Sequence, residues 1–266
     1  MSNEPLLFHR VISHPSSEEW VVFVHGAGGS SSVWFKQLKA YKQHFNLLFV
    51  DLRGHGRSTP VSLRNLLKRG YTFNAVTQDI IDVLDHLKIE RAHFVGVSLG
   101  TILIHKLAEI APDRVKSKVL GGAVTRFDYR SKTLVKLGDM CKHVIPYMWL
   151  YRLFAFILMP QKGQKESRHM FINDAKKLCQ KEFKRWFKLA NDVNPLMKYY
   201  RHHNSGKPTL YLMGENDYMF LRSVQDLVKL HPHSVLIEIA NCGHVCNVEQ
   251  PRQFNRQSIA FIKQHS

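Results

Sequence analysis

Cysteine is scarce, with four in 266 residues at positions 141, 179, 242 and 246, which excludes a disulfide scaffold and points to reduced thiols. Acidic side chains are few as well: 21 Asp and Glu face 38 Lys and Arg, a net charge of +17. An acidic solvating chain is thereby excluded, and anionic partners come into view. Long apolar runs are missing too. The longest, Val144 to Pro160, holds Pro146 near its start and is cut by Arg152, short of the roughly 20 residues a bilayer span needs. It reads as a buried or interfacial helix. The start, Met-Ser-Asn-Glu-Pro, lacks the basic n-region and apolar h-region of a secretory signal, so a cytoplasmic location is the expectation. Internal repeats, low-complexity tracts and Gly/Ser linkers are absent. What remains is a chain with enough apolar residues, 44%, to bury one large core with an insertion.

Short β-branched runs alternate with helix-period stretches. Leu6 to Ser13 and Glu19 to His25, separated by the polar His14-Pro-Ser-Ser, suggest an opening hairpin. Further strands are expected at Leu47 to Asp51, His93 to Val97, Lys118 to Gly121, Thr209 to Met213 and Val235 to Ala240. Between them, Val76, Ile80, Ile81, Val83, Leu84 and Leu87 recur on one helical face, as do Leu103, Ile104, Leu107 and Ile110. Such alternation predicts an α/β protein, a mostly parallel sheet with helices on both faces. From Thr125 to Ser205 the rhythm stops. That stretch offers helical patterns only, and its 17 Lys and Arg against 6 Asp and Glu give it +11 of the net charge. The expected organisation is a core of residues 1–124 and 206–266 with a helical cap inserted at 125–205.

Gly96-Val97-Ser98-Leu99-Gly100 stands between an apolar strand and a helix. A serine on such a tight turn is forced outward, and the glycines avoid collisions with the neighbouring backbone. Its hydroxyl needs a base within reach, oriented by a buried carboxylate. Two strands end in residues that supply them: Gly214-Glu215-Asn216-Asp217 and Asn241-Cys242-Gly243-His244. Both Glu215 and Asp217 lie where a site in a parallel sheet forms. His25-Gly26-Ala27-Gly28-Gly29 follows another strand and leaves backbone N–H groups free for a developing negative charge. It fits neither G-x-G-x-x-G nor G-x-x-x-x-G-K-[ST], so a nucleotide cradle is not expected. Asp51, Arg53, His55 and Arg57, spaced by glycines, read as loop scaffolding. Cys242-x-His244-x-Cys246 lacks a second ligand pair, so no metal is expected. His202, His203, His231 and His233 show no singular spacing and read as surface or loop residues.

The order Ser98, Asp217, His244, with the His25-Gly26-Ala27-Gly28-Gly29 and Asp51-Leu52-Arg53-Gly54-His55-Gly56 segments, resembles the α/β-hydrolase fold family along nearly the whole chain. The resemblance implies that Ser98 is the nucleophile, His244 the general base and Asp217, rather than Glu215, the orienting acid. It also implies an oxyanion hole from the backbone N–H groups of Ala27 and Leu99, a helical cap over the serine, and no metal or organic cofactor. Relatives that open alkyl halides or epoxides carry aspartate at the nucleophile's position; serine argues for acyl transfer. The function so implied is a carboxylesterase-like serine hydrolase cleaving small to medium apolar acyl or aryl esters. The same triad also serves lactonase, thioesterase, carbon–carbon bond hydrolase and perhydrolase chemistry, or a ligand-binding receptor that keeps it.

Within the insertion, Asp174 to Ala190 sets Leu178, Cys179, Phe183, Trp186, Phe187 and Ala190 on one helical stripe and Lys177, Lys181, Lys184 and Lys188 on another. Such a basic amphipathic helix packs its apolar stripe inward, and its lysines invite an anionic membrane surface or an acidic substrate group. The net charge also raises nucleic acid as a partner, but no recognised motif supports it and none is expected.

Overall fold

The computed structural model describes residues 6–59, 70–141 and 144–266. Among them, β1 His9–Ile12, β2 Trp20–Val24, β3 Asn46–Val50, β4 Ala92–Val97, β5 Val115–Gly121, β6 Thr209–Gly214 and β7 Ser234–Ile239 form one sheet in the order β1-β3-β2-β4-β5-β6-β7. Every neighbouring pair is parallel except β1 with β3. The expected opening hairpin is therefore replaced: β3 lies between β1 and β2. Val21, Val22, Phe23 and Val24 are fully buried, and a strand buried on both faces belongs at the centre of a parallel sheet. The partly exposed β1 takes the edge.

The α-helices among the described residues are α1 Phe35–Tyr41, α2 Phe73–His86, α3 Leu99–Ile110, α4 Tyr129–Cys141, α5 Tyr147–Leu158, α6 Lys165–Ala175, α7 Gln180–His202, α8 Leu221–Val228, α9 Cys246–Glu249 and α10 Pro251–Gln264. Thr72 caps α2 by accepting the Ala75 N–H at 3.1 Å. Because successive strand residues point to opposite faces, the core has two layers. Val22, Val24, Leu48 and Phe94 pack with α2 and α3 on one side, while Val21, Phe23, Leu47 and Val95 pack with Trp34 and Phe254 on the other.

From Thr125 to Ser205 the described residues form helices and connections without a strand. The stripe read as one helix from Asp174 is broken. α6 ends at Ala175 and α7 starts at Gln180, so Leu178 and Cys179 lie in the turn, where apolar spacing continues across the break and hides it. α7 buries Phe183, Trp186, Leu189, Val193, Met197 and Tyr200 along one stripe. No helix of the described residues is long and apolar enough to cross a membrane.

Candidate active site

Two strands set the site's centre. β2 and β4 are neighbours whose chain connections leave in opposite directions across the sheet, and the crevice beyond their C-terminal ends is where parallel sheets bind ligands. Ala27 follows β2 and Ser98 follows β4 directly. Ser98 has φ +52° and ψ −121°, a conformation that non-glycine residues rarely adopt and that lifts its side chain out of the strand. Its N–H donates to Gly121 O at 3.1 Å. A Cβ on Gly100 would lie 2.3 Å from Val24 O, and one on Gly96 would lie 2.5 Å from Ile104 Cδ1. A side chain at Gly100 would collide with the backbone of β2, whereas one at Gly96 would first have to displace the end of Ile104.

His244 and Asp217 arrive from the loops after β7 and β6. His244 Nε2 lies 3.1 Å from Ser98 Oγ, and its Nδ1 lies 2.8 Å from Asp217 Oδ2. Asp217 Oδ1 also accepts the Phe220 N–H at 3.2 Å, which fixes the carboxylate. Both His244 and Asp217 are buried, and Ser98 is half-buried. Burial disfavours the His244 imidazolium, but the charge and hydrogen bond of Asp217, with Glu249 beyond, outweigh it and hold His244 above its ordinary pKa. Glu215 is exposed and accepts the Asn241 N–H at 3.2 Å. It ties two loops together while Asp217 faces the histidine.

The loop after β2 is held by histidines. His55 Nε2 accepts the Gly28 N–H at 2.9 Å while its Nδ1 donates to Arg53 O at 3.2 Å. His25 Nε2 likewise accepts the Leu52 N–H at 2.9 Å, and its Nδ1 donates to Gly26 O at 2.7 Å. Full burial pushes His55 down to about 3 and lowers His25, so both rings stay neutral. Asp51 accepts the N–H groups of Ser31 and Arg57. Arg53 makes two 2.7 Å bonds to Asp79. These residues are scaffolding.

Glu249, which sequence reasoning missed, accepts the N–H groups of Gly243 at 2.7 Å and Val245 at 3.2 Å, bracing the loop that carries His244. Asp174 on α6 accepts from Ser30 Oγ at 2.9 Å and Ser32 Oγ at 2.8 Å, and Trp186 Nε1 donates to Arg53 O at 2.9 Å. These bonds pin the insertion over the site. No sequence signal marks Asp174; Glu249 was findable only as a carboxylate one turn after the histidine. The cysteines are all unpaired. Cys242 and Cys246 are buried, their thiols directed at Gly243 O and Leu212 O, and burial raises both pKa values. His231, read as a surface or loop residue, lies in the loop before β7 but is buried, with Nε2 3.1 Å from Arg201 O.

Ser98 opens on two cavities. The larger, about 210 Å³, runs under the insertion between Ile102, Val124, Val135, Phe154, Phe187 and Val193. Among the described residues, none lining it is charged. The smaller, about 60 Å³, lies on the His244 side against Val33, Met159, Met170, Val245 and Val248. Ala27 and Ser98 border both; Leu99 borders the larger.

The sequence profile of the alpha/beta hydrolase family matches residues 21–257. The chain belongs to this family. Among the relatives of this α/β hydrolase, the "Putative carbamate hydrolase RutD" of Acinetobacter baylyi is 25% identical over 254 residues, covering 92% of this chain and 93% of that one. The "Uncharacterized carboxylesterase nap" of Bacillus subtilis is 24% identical, over 96% of this chain and 82% of its own length. In fold, the α/β hydrolase is similar to the crystal structure of the enol-lactonase from Burkholderia xenovorans LB400, with a TM-score of 0.80 at 20% identity over 97% of this chain and 96% of that one.

Proposed function

We propose that the α/β hydrolase is a serine hydrolase that cleaves neutral carboxylic esters with an apolar acyl group. The observation that carries this reading is the hydrogen-bonded line Ser98–His244–Asp217 opening on a cavity with uncharged, largely apolar walls. Ser98 Oγ attacks the ester carbonyl while His244 Nε2 takes its proton, and Asp217 steadies the imidazolium. The N–H groups of Ala27 and Leu99 receive the oxyanion. As the tetrahedral centre collapses, His244 returns the proton to the departing alkoxide, leaving an acyl-serine. A water then attacks through the same base and releases the acid.

The relatives' names divide between carboxylic esters, lactones and carbamates. The lining favours a neutral apolar acyl group, because an anionic substrate finds no counter-charge in the larger cavity. Since His244 must protonate the leaving group, the alcohol belongs in the smaller cavity beside it and the acyl chain in the larger. The test is acid release from methyl octanoate in a pH-stat. The native chain is expected to turn over and folded Ser98→Ala is not. A folded native chain that leaves methyl esters of every acyl length intact would overturn the ester reading.

A further inference from the structure

The insertion turns an apolar face outward. Along α5, Leu150, Tyr151 and Ala155 are buried, whereas Trp149, Leu153 and Phe156, at i, i+4 and i+7, are each more than half exposed. On α4, Leu137 and Met140 are exposed to the same degree, and Val144 in the connection between the two helices is more exposed still. The pair is held together on its inner side: a Cβ on Gly138 of α4 would touch Phe154 of α5 and Phe187 of α7. Exposed apolar side chains gathered on the outer sides of neighbouring helices mark an interaction surface.

Charge selects its occupant. Exposed Lys132, Lys136 and Arg152 share the outer sides of the same helices, and the Arg168 guanidinium lies 4.9 Å over the Phe156 ring. The whole chain carries +17, so a second copy meets like charge while an anionic surface is attracted. Aromatic and aliphatic side chains interleaved with Lys and Arg on one helical face are the composition that seats in a lipid headgroup layer.

We propose that the outer face of α4 and α5 docks on an anionic lipid surface. The inner sides of the same helices supply Ser131, Val135, Phe154 and Ile157 to the larger cavity, so docking brings that cavity's wall against the lipid. The docking itself does not depend on the chemistry at Ser98.

Trp149 is a built-in probe. Trp34 and Trp186 are buried and Trp20 is half-buried, so a change in polarity around an exposed indole reports Trp149. The native chain is mixed with phosphatidylcholine vesicles, with or without about one-third phosphatidylserine, and followed by flotation and tryptophan emission. Binding about tenfold stronger to the anionic vesicles, weakened by salt and accompanied by a blue shift, is expected. Combined Trp149→Ser, Leu153→Ser and Phe156→Ser is expected to abolish it. Lys132→Glu with Lys136→Glu is expected to bring it down to the phosphatidylcholine level. Cooperative thermal unfolding checks that both variants fold. No binding by the native chain, equal binding to both vesicles, or binding without a blue shift would overturn the proposal. So would self-association through this face, abolished by the three serines.

Discussion

The two cavities differ in size, and that difference makes the substrate's polarity measurable. If each carbon takes about 30 Å³, the share of a water molecule in the liquid, the larger cavity of about 210 Å³ holds about seven and the smaller, of about 60 Å³, about two. Burying a methylene is worth about 0.8 kcal/mol, or about fourfold in kcat/KM. For methyl esters, kcat/KM is therefore expected to climb about fourfold per carbon up to octanoate and to level or fall beyond it. Heptyl acetate has the same atoms as methyl octanoate but places seven carbons on the leaving-group side, where about five find no room. A preference for methyl octanoate on the order of a hundredfold or more follows. Ala190 lines the larger cavity, so Ala190→Phe should shorten the preferred acyl chain by several carbons while the hydrolysis of methyl acetate stays close to native. A profile flat in acyl length, or a preference for heptyl acetate, would refute the assignment of the two cavities and leave the role of Ser98 untouched.

Asp217→Asn should lower kcat by about 10⁴-fold, the scale on which the amide of an orienting carboxylate fails to hold the histidine, whereas Glu215→Gln, remote from His244, should leave kcat near native. The acid limb of kcat/KM should have its midpoint above 6.5, because the proposed base is neutral His244 and Asp217 holds its pKa up; rates measured from pH 5 to 9 locate it, at roughly the range where histidine titrates. Lys118 is buried, with Nζ 2.9 Å from Ser205 Oγ, and burial pushes its pKa down from 10.5 to about 7. Between those values the unfolded chain binds the extra proton, so urea stability should rise with pH from about 7 towards 10. Lys118→Met should remove that rise and stabilise the chain at neutral pH.

Much of this was legible in the residues because each site segment combines a strand end with turn chemistry that little else requires. Gly96 and Gly100 flank a serine whose turn has no room for a Cβ at Gly100 and would crowd one at Gly96 against Ile104, and the apolar runs before Asp217 and His244 coincide with β6 and β7 to within a residue or two. What escaped the sequence has no local signature. β1 looked like the partner of β2 because a polar tetrapeptide separates them, yet pairing is decided by burial across the whole sheet. The break between α6 and α7 escaped because apolar residues keep a helical period across it. Asp174 meets Ser30 and Ser32 across more than 140 residues, a distance over which spacing says nothing.

The groups that hold the site also explain why its pH response should be simple. His55 and His25 titrate below neutrality because burial disfavours their charged forms, and each is fixed by a donated and an accepted backbone hydrogen bond. Burial therefore favours the neutral form of both rings. On the proposed mechanism protonation of His244 stops turnover, whereas deprotonation of Lys118 stabilises the fold. Lys118 lies three residues back along β5 from Gly121, whose carbonyl receives the Ser98 N–H, a rise of about 10 Å. The two titrations are thus separable in space and in readout: Lys118→Met should flatten stability against pH while leaving the acid limb of activity in place. A limb that moved with Lys118 would mean that the turn carrying Ser98 yields as the sheet beneath it loosens, and the strained conformation at Ser98 would then be held less firmly than its hydrogen bond to Gly121 implies.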